Sequence, residues 1–222
     1  MCLSDDLKDF LISEGAFRVG FADLTSIPKV DRSMPYGVSI MLPVPLKAIE
    51  ALKGDIGYYD EVCIELDHSL DVLGLKCEEY LKSRGFNAFA LTFNRVLGHS
   101  HGLIPHKTIA TSSGLGWIGK SSLLITPDFG PGVVLTSVYT DAPLVFDKPV
   151  TGSFCGKCSK CVDVCKLNAI YGCNWDNGKS RDDLINYPVC KDHIIKSNDK
   201  VSLKLSACGE CLYVCSFNRK LT

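Results

Sequence analysis

Cys155-Gly156-Lys157-Cys158-Ser159-Lys160-Cys161-Val162-Asp163-Val164-Cys165 decides how the last third of this 222-residue chain folds. The spacing is C-x2-C-x2-C-x3-C, by which thiolates grip a cubic four-iron, four-sulfur cluster. Three thiolates this close wrap one face of a cube. The fourth, about one helical turn further on, points away and serves a neighbouring cluster. A second motif, Cys208-Gly-Glu-Cys211-Leu-Tyr-Val-Cys215, follows with Cys190 upstream. Eight ligands then divide in two: Cys155, Cys158, Cys161 and Cys215 for one 4Fe–4S cluster, and Cys165, Cys190, Cys208 and Cys211 for the other. Each motif lends its last cysteine to the other cluster, so the two clusters are expected to be close neighbours.

The remaining cysteines and the charge fit this reading. Of twelve cysteines, only Cys2, Cys63 and Cys77 precede residue 151. They are read as buried packing thiols, as is Cys173, although Cys173 could compete with Cys190 as a ligand. Zinc ribbons also use C-x2-C pairs, but the triple run followed by x3-C is foreign to them. Lys166 and Ser216 stand where a proline commonly follows the last cysteine of such motifs; that proline shapes a turn and is not a ligand. From residue 151 onward, 11 Lys and Arg face 7 Asp and Glu, against a whole-chain charge of −1. An oxidised cluster with four thiolates carries a net −2, so two of them bring this basic segment near neutrality. The basic residues are thus spent locally, and nucleic acid is not an expected partner.

Working outward, residues 1–150 read as an α/β domain and residues 151–222 as a small double-cluster domain, an α+β chain altogether. Leu3, Leu7, Phe10 and Leu11 recur at helical spacing, with Gly15 as a stop. Phe17–Ala22 and Tyr36–Leu42 read as strands, the latter closed by Pro43. A long helix is expected over Asp60–Arg84, with Val62, Leu66, Leu70, Leu73, Cys77 and Leu81 on one face. Phe86–Phe93 reads as a strand, and Ser122–Thr126 with Val133–Thr140 as a hairpin. Met1–Asp6 is acidic and lacks a signal pattern, and no apolar run reaches the length of a membrane span. A soluble, cytoplasmic protein with no membrane partner is expected.

Gly114-Leu115-Gly116-Trp117-Ile118-Gly119-Lys120-Ser121 matches two nucleotide-binding patterns, G-x-x-x-x-G-K-[ST] and G-x-G-x-x-G. Both need a strand before the glycines and a helix after them. Here the order is reversed: His106–Ser113 reads as a helix that Gly114 stops, and Ser122–Thr126 as a strand. ATP and NAD are therefore rejected. The glycines imply either close approach to a flat or bulky group, or a helix-to-strand turn with Trp117 and Ile118 in the core.

Ala110–Ile125, Pro127–Gly130 and Thr140–Leu144, followed by the double cysteine motif, resemble the epoxyqueuosine reductase family, itself related to cobalamin-dependent reductive dehalogenases. The resemblance runs from about Phe17 to Asn218. It implies a nitroreductase-like α/β domain and a two-cluster ferredoxin-like domain enclosing a cobalamin. Gly114, Leu115, Gly116, Trp117, Ile118, Gly119 and Lys120 would line that cofactor. It further implies a low-potential oxidoreductase fed by a ferredoxin or flavodoxin, passing electrons through both clusters to a corrinoid or small-molecule acceptor. The family's acidic D-x-G-P-type proton donor has no counterpart in Gly98–Lys107, nor is its helical-repeat tRNA-binding extension present, so action on queuosine tRNA is not expected. His101, His106 and Lys107 are the candidate catalytic residues in place of that acid, with His99 a fourth position of interest. Two other readings stand beside this one: an electron-transfer module without its own substrate, serving a partner such as a corrinoid protein, and a flavin in the N-terminal domain.

Overall fold

The computed structural model describes residues 2–28, 30–93, 95, 103–197 and 208–220. They form a mixed helix-and-sheet protein that divides into two compact units. Residues 1–43, 65–115 and 134–150 make up the first, and residues 44–64, 116–133 and 151–222 the second. Two segments within 1–150, at 44–64 and 116–133, thus cluster with the cysteine-rich segment rather than with the rest of the N-terminal part.

In the first unit, β1 (Arg18–Asp23), β2 (Tyr36–Pro43), β3 (Ala88–Ala90) and β6 (Val133–Thr140) form one sheet, ordered β1-β2-β6-β3. β1 pairs antiparallel with β2, and β3 with β6. Side chains alternate across a strand, so neighbouring residues enter different cores. Val38, Ile40, Val138 and Ala90 join Leu7 and Leu11 of the helix Leu3–Ser13, and Leu70, Leu73, Cys77 and Leu81 of the helix Ile56–Lys82. Ala22 and Tyr139, with Phe89 packed at the margin, join Ile109 of the helix His106–Ser112 in a second core. The sheet is therefore covered on both faces, which explains why six central residues of β2 are buried without a break.

Two local expectations differ from the structure. Phe86–Phe93 is strand only over Ala88–Ala90, because the Phe93 amide donates to Asp71 Oδ1 at 3.0 Å instead of continuing the ladder. The hairpin between Ser122–Thr126 and Val133–Thr140 does not form. Thr126 and Gly130 pair with each other, closing the intervening turn on itself (Thr126 N to Gly130 O, 2.8 Å). β5 (Leu124–Ile125) pairs instead with β4 (Trp117–Ile118), and β6 enters the four-stranded sheet, where its last five residues are buried.

In the second unit, a short helix Lys160–Val164 packs against Glu210–Tyr213. Isolated bridges join Gly152 to Asp176 and Ile170 to Ile185. The helix Leu46–Ala51 also packs on Glu210–Tyr213, and Lys53 Nζ meets Glu210 Oε2 at 3.1 Å.

Candidate metal centre

Tight turns bring the first cysteines together. Gly156 is left-handed (φ 56°), a conformation that an L side chain resists, and the turn closes with Cys158 N donating to Cys155 O at 3.1 Å. Cys161 lies in the helix Lys160–Val164, whose first turn is tied by Ser159 Oγ donating to Asp163 at 2.7 Å. Cys165 then leaves the helix in an extended conformation, and its sulfur accepts the Ala169 amide at 3.4 Å. The second motif repeats the device: Gly209 is left-handed (φ 69°) and precedes the helix that carries Cys211.

All twelve cysteines are free thiols. Their mutual influence sorts eight of them. Burial pushes the Cys161 thiol up to about 11, and Cys155, Cys158 and Cys215 push it further in the same direction. Burial raises Cys215, with Cys155 and Cys158 adding to it. Burial pushes Cys211 up to about 12, with Cys208 the foremost neighbour, then Cys161, Cys190 and Cys165. Cys190 is raised by burial and then by Cys208 and Cys165. Cys155, Cys158, Cys161 and Cys215 thus lie together along one cavity, which Cys211 also borders, while Cys165, Cys190 and Cys208 neighbour Cys211.

The donor chemistry fits an iron–sulfur cluster in each set. Burial and neighbouring thiols favour the protonated form of Cys161, Cys190, Cys211 and Cys215, and a bound cation would reverse that balance by deprotonating its ligands. Among the described residues no three His, Cys, Asp or Glu side chains converge closely enough to hold a single metal ion. Thiolates on a four-iron cube stand further apart than those sharing one ion, because four metal atoms separate them.

The other cysteines fall outside both sets. Cys173, expected to be a buried thiol, is exposed in a loop, and its influence falls on Lys179. Cys77 is buried in the sheet unit's core, and Cys63 is half-buried. Cys2, expected to be buried, is exposed: it precedes the first helix and its Sγ donates to Asp5 at 3.1 Å.

Two aromatic residues that bracket the first set went unread in the sequence. Trp117 meets Phe154 edge-on (centroids 5.1 Å apart) and Phe217 likewise (4.9 Å). Phe154 directly precedes Cys155 and Phe217 follows Cys215 by two, so this stack anchors both ends of the set. An aromatic residue beside the outermost cysteine of each motif was the available signal.

The glycines of the loop are packed closely against the protein's own chain. A Cβ on Gly116 would be driven into the Ile125 carbonyl, and one on Gly119 would lie 2.7 Å from Ile125 Cγ1. Gly114 is left-handed (φ 74°), and a Cβ there would lie 2.8 Å from Lys148 O. The protein's own chain takes up each close approach, which is the helix-to-strand turn reading. Trp117 is buried and Ile118 half-buried, as that reading requires. Lys120 reaches the cysteines: its Nζ donates to Cys158 O at 2.9 Å. Gly114 and Leu115 border a cavity of about 380 Å³ in the sheet unit, alongside Phe17, Arg18 and Lys148.

Of the candidate catalytic residues, His101 lies outside the described residues, as does His99. His106 Nδ1 stands 3.0 Å from Ser137 Oγ. Burial lowers its pKa from 6.5, with Asp71 opposing, so the neutral imidazole prevails at neutral pH. Lys107 follows on the same helix, half-buried.

Fold and thiol arrangement together define a mixed helix-and-sheet protein of two compact units with a thiol donor set suited to iron–sulfur chemistry. No family model matches the chain. Curated relatives at 26–32% identity are epoxyqueuosine reductases. That of Cyclobacterium marinum is 27% identical over 192 residues, covering 79% of this chain and 61% of the relative. That of Listeria monocytogenes is 31% identical over 126 residues, covering 53% and 31% respectively. The chain therefore spans only part of the length of these relatives. Among solved structures, an epoxyqueuosine reductase bound to a modified tRNA stem loop matches with TM-score 0.65 and 21% identity, over 97% of this chain and 65% of that one. A catabolic reductive dehalogenase matches with TM-score 0.70 and 21% identity, over 96% and 31%. The fold is shared with both groups, and the resemblance read in the sequence holds. Among the described residues no helix is long and apolar enough to cross a membrane.

Proposed function

We propose that this chain is an iron–sulfur oxidoreductase related to the epoxyqueuosine reductases. Cys155, Cys158, Cys161 and Cys215 would hold one 4Fe–4S cluster, and Cys165, Cys190, Cys208 and Cys211 another. When bound, the clusters supply one-electron chemistry at low potential. The chain's own part is to place thiolates, exclude water and set the local charge. The observation that carries this reading is that Cys155, Cys158, Cys161, Cys211 and Cys215 line one cavity, with Cys208, Cys190 and Cys165 neighbouring Cys211.

A ferredoxin or flavodoxin is the donor class that matches the potential range. The acceptor is a corrinoid or a small molecule, cobalamin being suggested by a structural neighbour described in terms of B12-dependent dehalogenation. His106, neutral and with Nδ1 engaged by Ser137, is suited to accept a proton or ligate a metal through Nε2 rather than to act as a cationic acid.

The test is anaerobic purification with iron and sulfide analysis and EPR. About eight irons and eight sulfides per chain, free of zinc, are expected from two four-iron clusters. Stoichiometric zinc without sulfide would overturn the proposal.

A second reading, an electron carrier without its own substrate, is favoured by one observation: Ile125 already fills the space beside Gly116 and Gly119. Adding cob(II)alamin to the purified protein separates the two. A tight complex with an altered cobalt spectrum supports the enzyme; an unchanged spectrum supports the carrier.

A further inference from the structure

The lysine of the loop that imitates a nucleotide site is held without a nucleotide. Gly119 N donates to Leu123 O at 2.8 Å and Ser122 N to Gly119 O at 2.9 Å, so a tight turn fixes the Lys120 backbone. The side chain is 7% exposed. Its Nζ donates to the backbone oxygen of Cys158 at 2.9 Å, and it shares a cavity with Cys155, Cys158, Cys161 and Cys215. Among the described residues this ammonium has no carboxylate partner. Burying a cation without an anion is costly, so a negative group is needed close by. Lys160 borders the same cavity but is exposed, and water screens its charge.

We propose that Lys120 is a positioning residue that both braces the Cys158 turn and raises the reduction potential of the metal group held by Cys155, Cys158, Cys161 and Cys215. This rests on the iron–sulfur reading above. One-electron reduction by a low-potential donor takes a four-thiolate 4Fe–4S group from −2 to −3, with no bond broken and no proton moved. A fixed, buried cation stabilises the more negative state more strongly, and so favours the reduced form. Cys211 is the one member of the second set that borders this cavity, so the second group should feel less of the charge.

The experiment uses the full chain, purified anaerobically, and dithionite titration followed by EPR. Lys120→Met, Lys120→Gln and Lys120→Arg are compared with the unaltered protein, and Cys190→Ser identifies the second group's signal. Lys120→Met and Lys120→Gln should each lower the reduced-to-oxidised ratio of the first group about tenfold at fixed potential, or 59 mV for one electron. The second group should move less, and Lys120→Arg should keep the original value. Unchanged midpoints in both neutral variants, or equal shifts of the two groups, would overturn the proposal. Should the neutral variants lose the first group's iron, recovery in Lys120→Arg upholds it and failure to recover refutes it. Absence of iron and sulfide from the unaltered protein would instead refute the iron–sulfur reading itself.

Discussion

On one face of the sheet, the first unit buries a continuous apolar set running from Leu7 and Leu11 through Val38 and Ile40 to Val138 and Leu144. From residue 151 onward, the buried apolar residues among those described are Ala169, Ile170, Trp175, Leu184, Ile185 and Leu212. Burial of apolar surface is the main favourable term in folding, and the first unit is well supplied with it. The cysteine segment lacks that resource. It is set instead by left-handed glycines, short turns and, on the proposed reading, a metal group held by its cysteines. Small metal domains commonly couple binding to folding in this way.

The sharpest way to break that contrast is to remove the metal. Stripping iron with a chelator under reducing conditions should abolish protease protection across residues 151–222 while the sheet unit stays intact. Limited proteolysis with mass spectrometry reads this directly, and equal protection before and after would erase the distinction.

Gly116→Ala comes next, because the new methyl would meet the Ile125 backbone, which cannot rotate away. A loss of about 3 kcal/mol or more is expected in thermal or urea unfolding of the metal-free protein. Gly54→Ala, where nothing lies within 4 Å, should be neutral or stabilising by about 0.4–1 kcal/mol. A harmless Gly116→Ala would return that glycine to a cofactor role.

The sheet unit also keeps one buried acid. Burial alone would push Glu78 up, but Arg95, Lys82 and the Ala90 amide outweigh it and hold it below its ordinary 4.5. Its contribution is therefore full above pH 4.5 and fades as pH falls toward the depressed native value. Glu78→Gln should cost about 1–3 kcal/mol at neutral pH and flatten the acid limb of the stability curve, as seen by unfolding at several pH values.

The smallest effect is expected at Cys173. Cys173→Ser should leave the iron content unchanged, whereas Cys190→Ser should remove iron from the second set. The reverse result would exchange their roles.

The gathering of Cys155, Cys158 and Cys161 was legible because their spacing is local geometry: three thiols within seven residues have few ways to lie apart. The helices Leu3–Ser13 and Ile56–Lys82 were legible for a similar reason, since 3.6-residue periodicity shows which face must be buried. Pairing across long separations was not. Ser122–Thr126 and Val133–Thr140 have the composition of a hairpin, but the Thr126–Gly130 turn closes early and β6 buries more surface in the larger sheet.

By itself, then, the sequence determined where the cysteines gather and how they are spaced, because residue type and short spacing are written along the chain. Only the tertiary structure decided what packs against the glycine loop and Lys120. Their partners, Ile125 and Cys158, are brought to them by folding, and no local pattern encodes a contact with a residue 38 positions away.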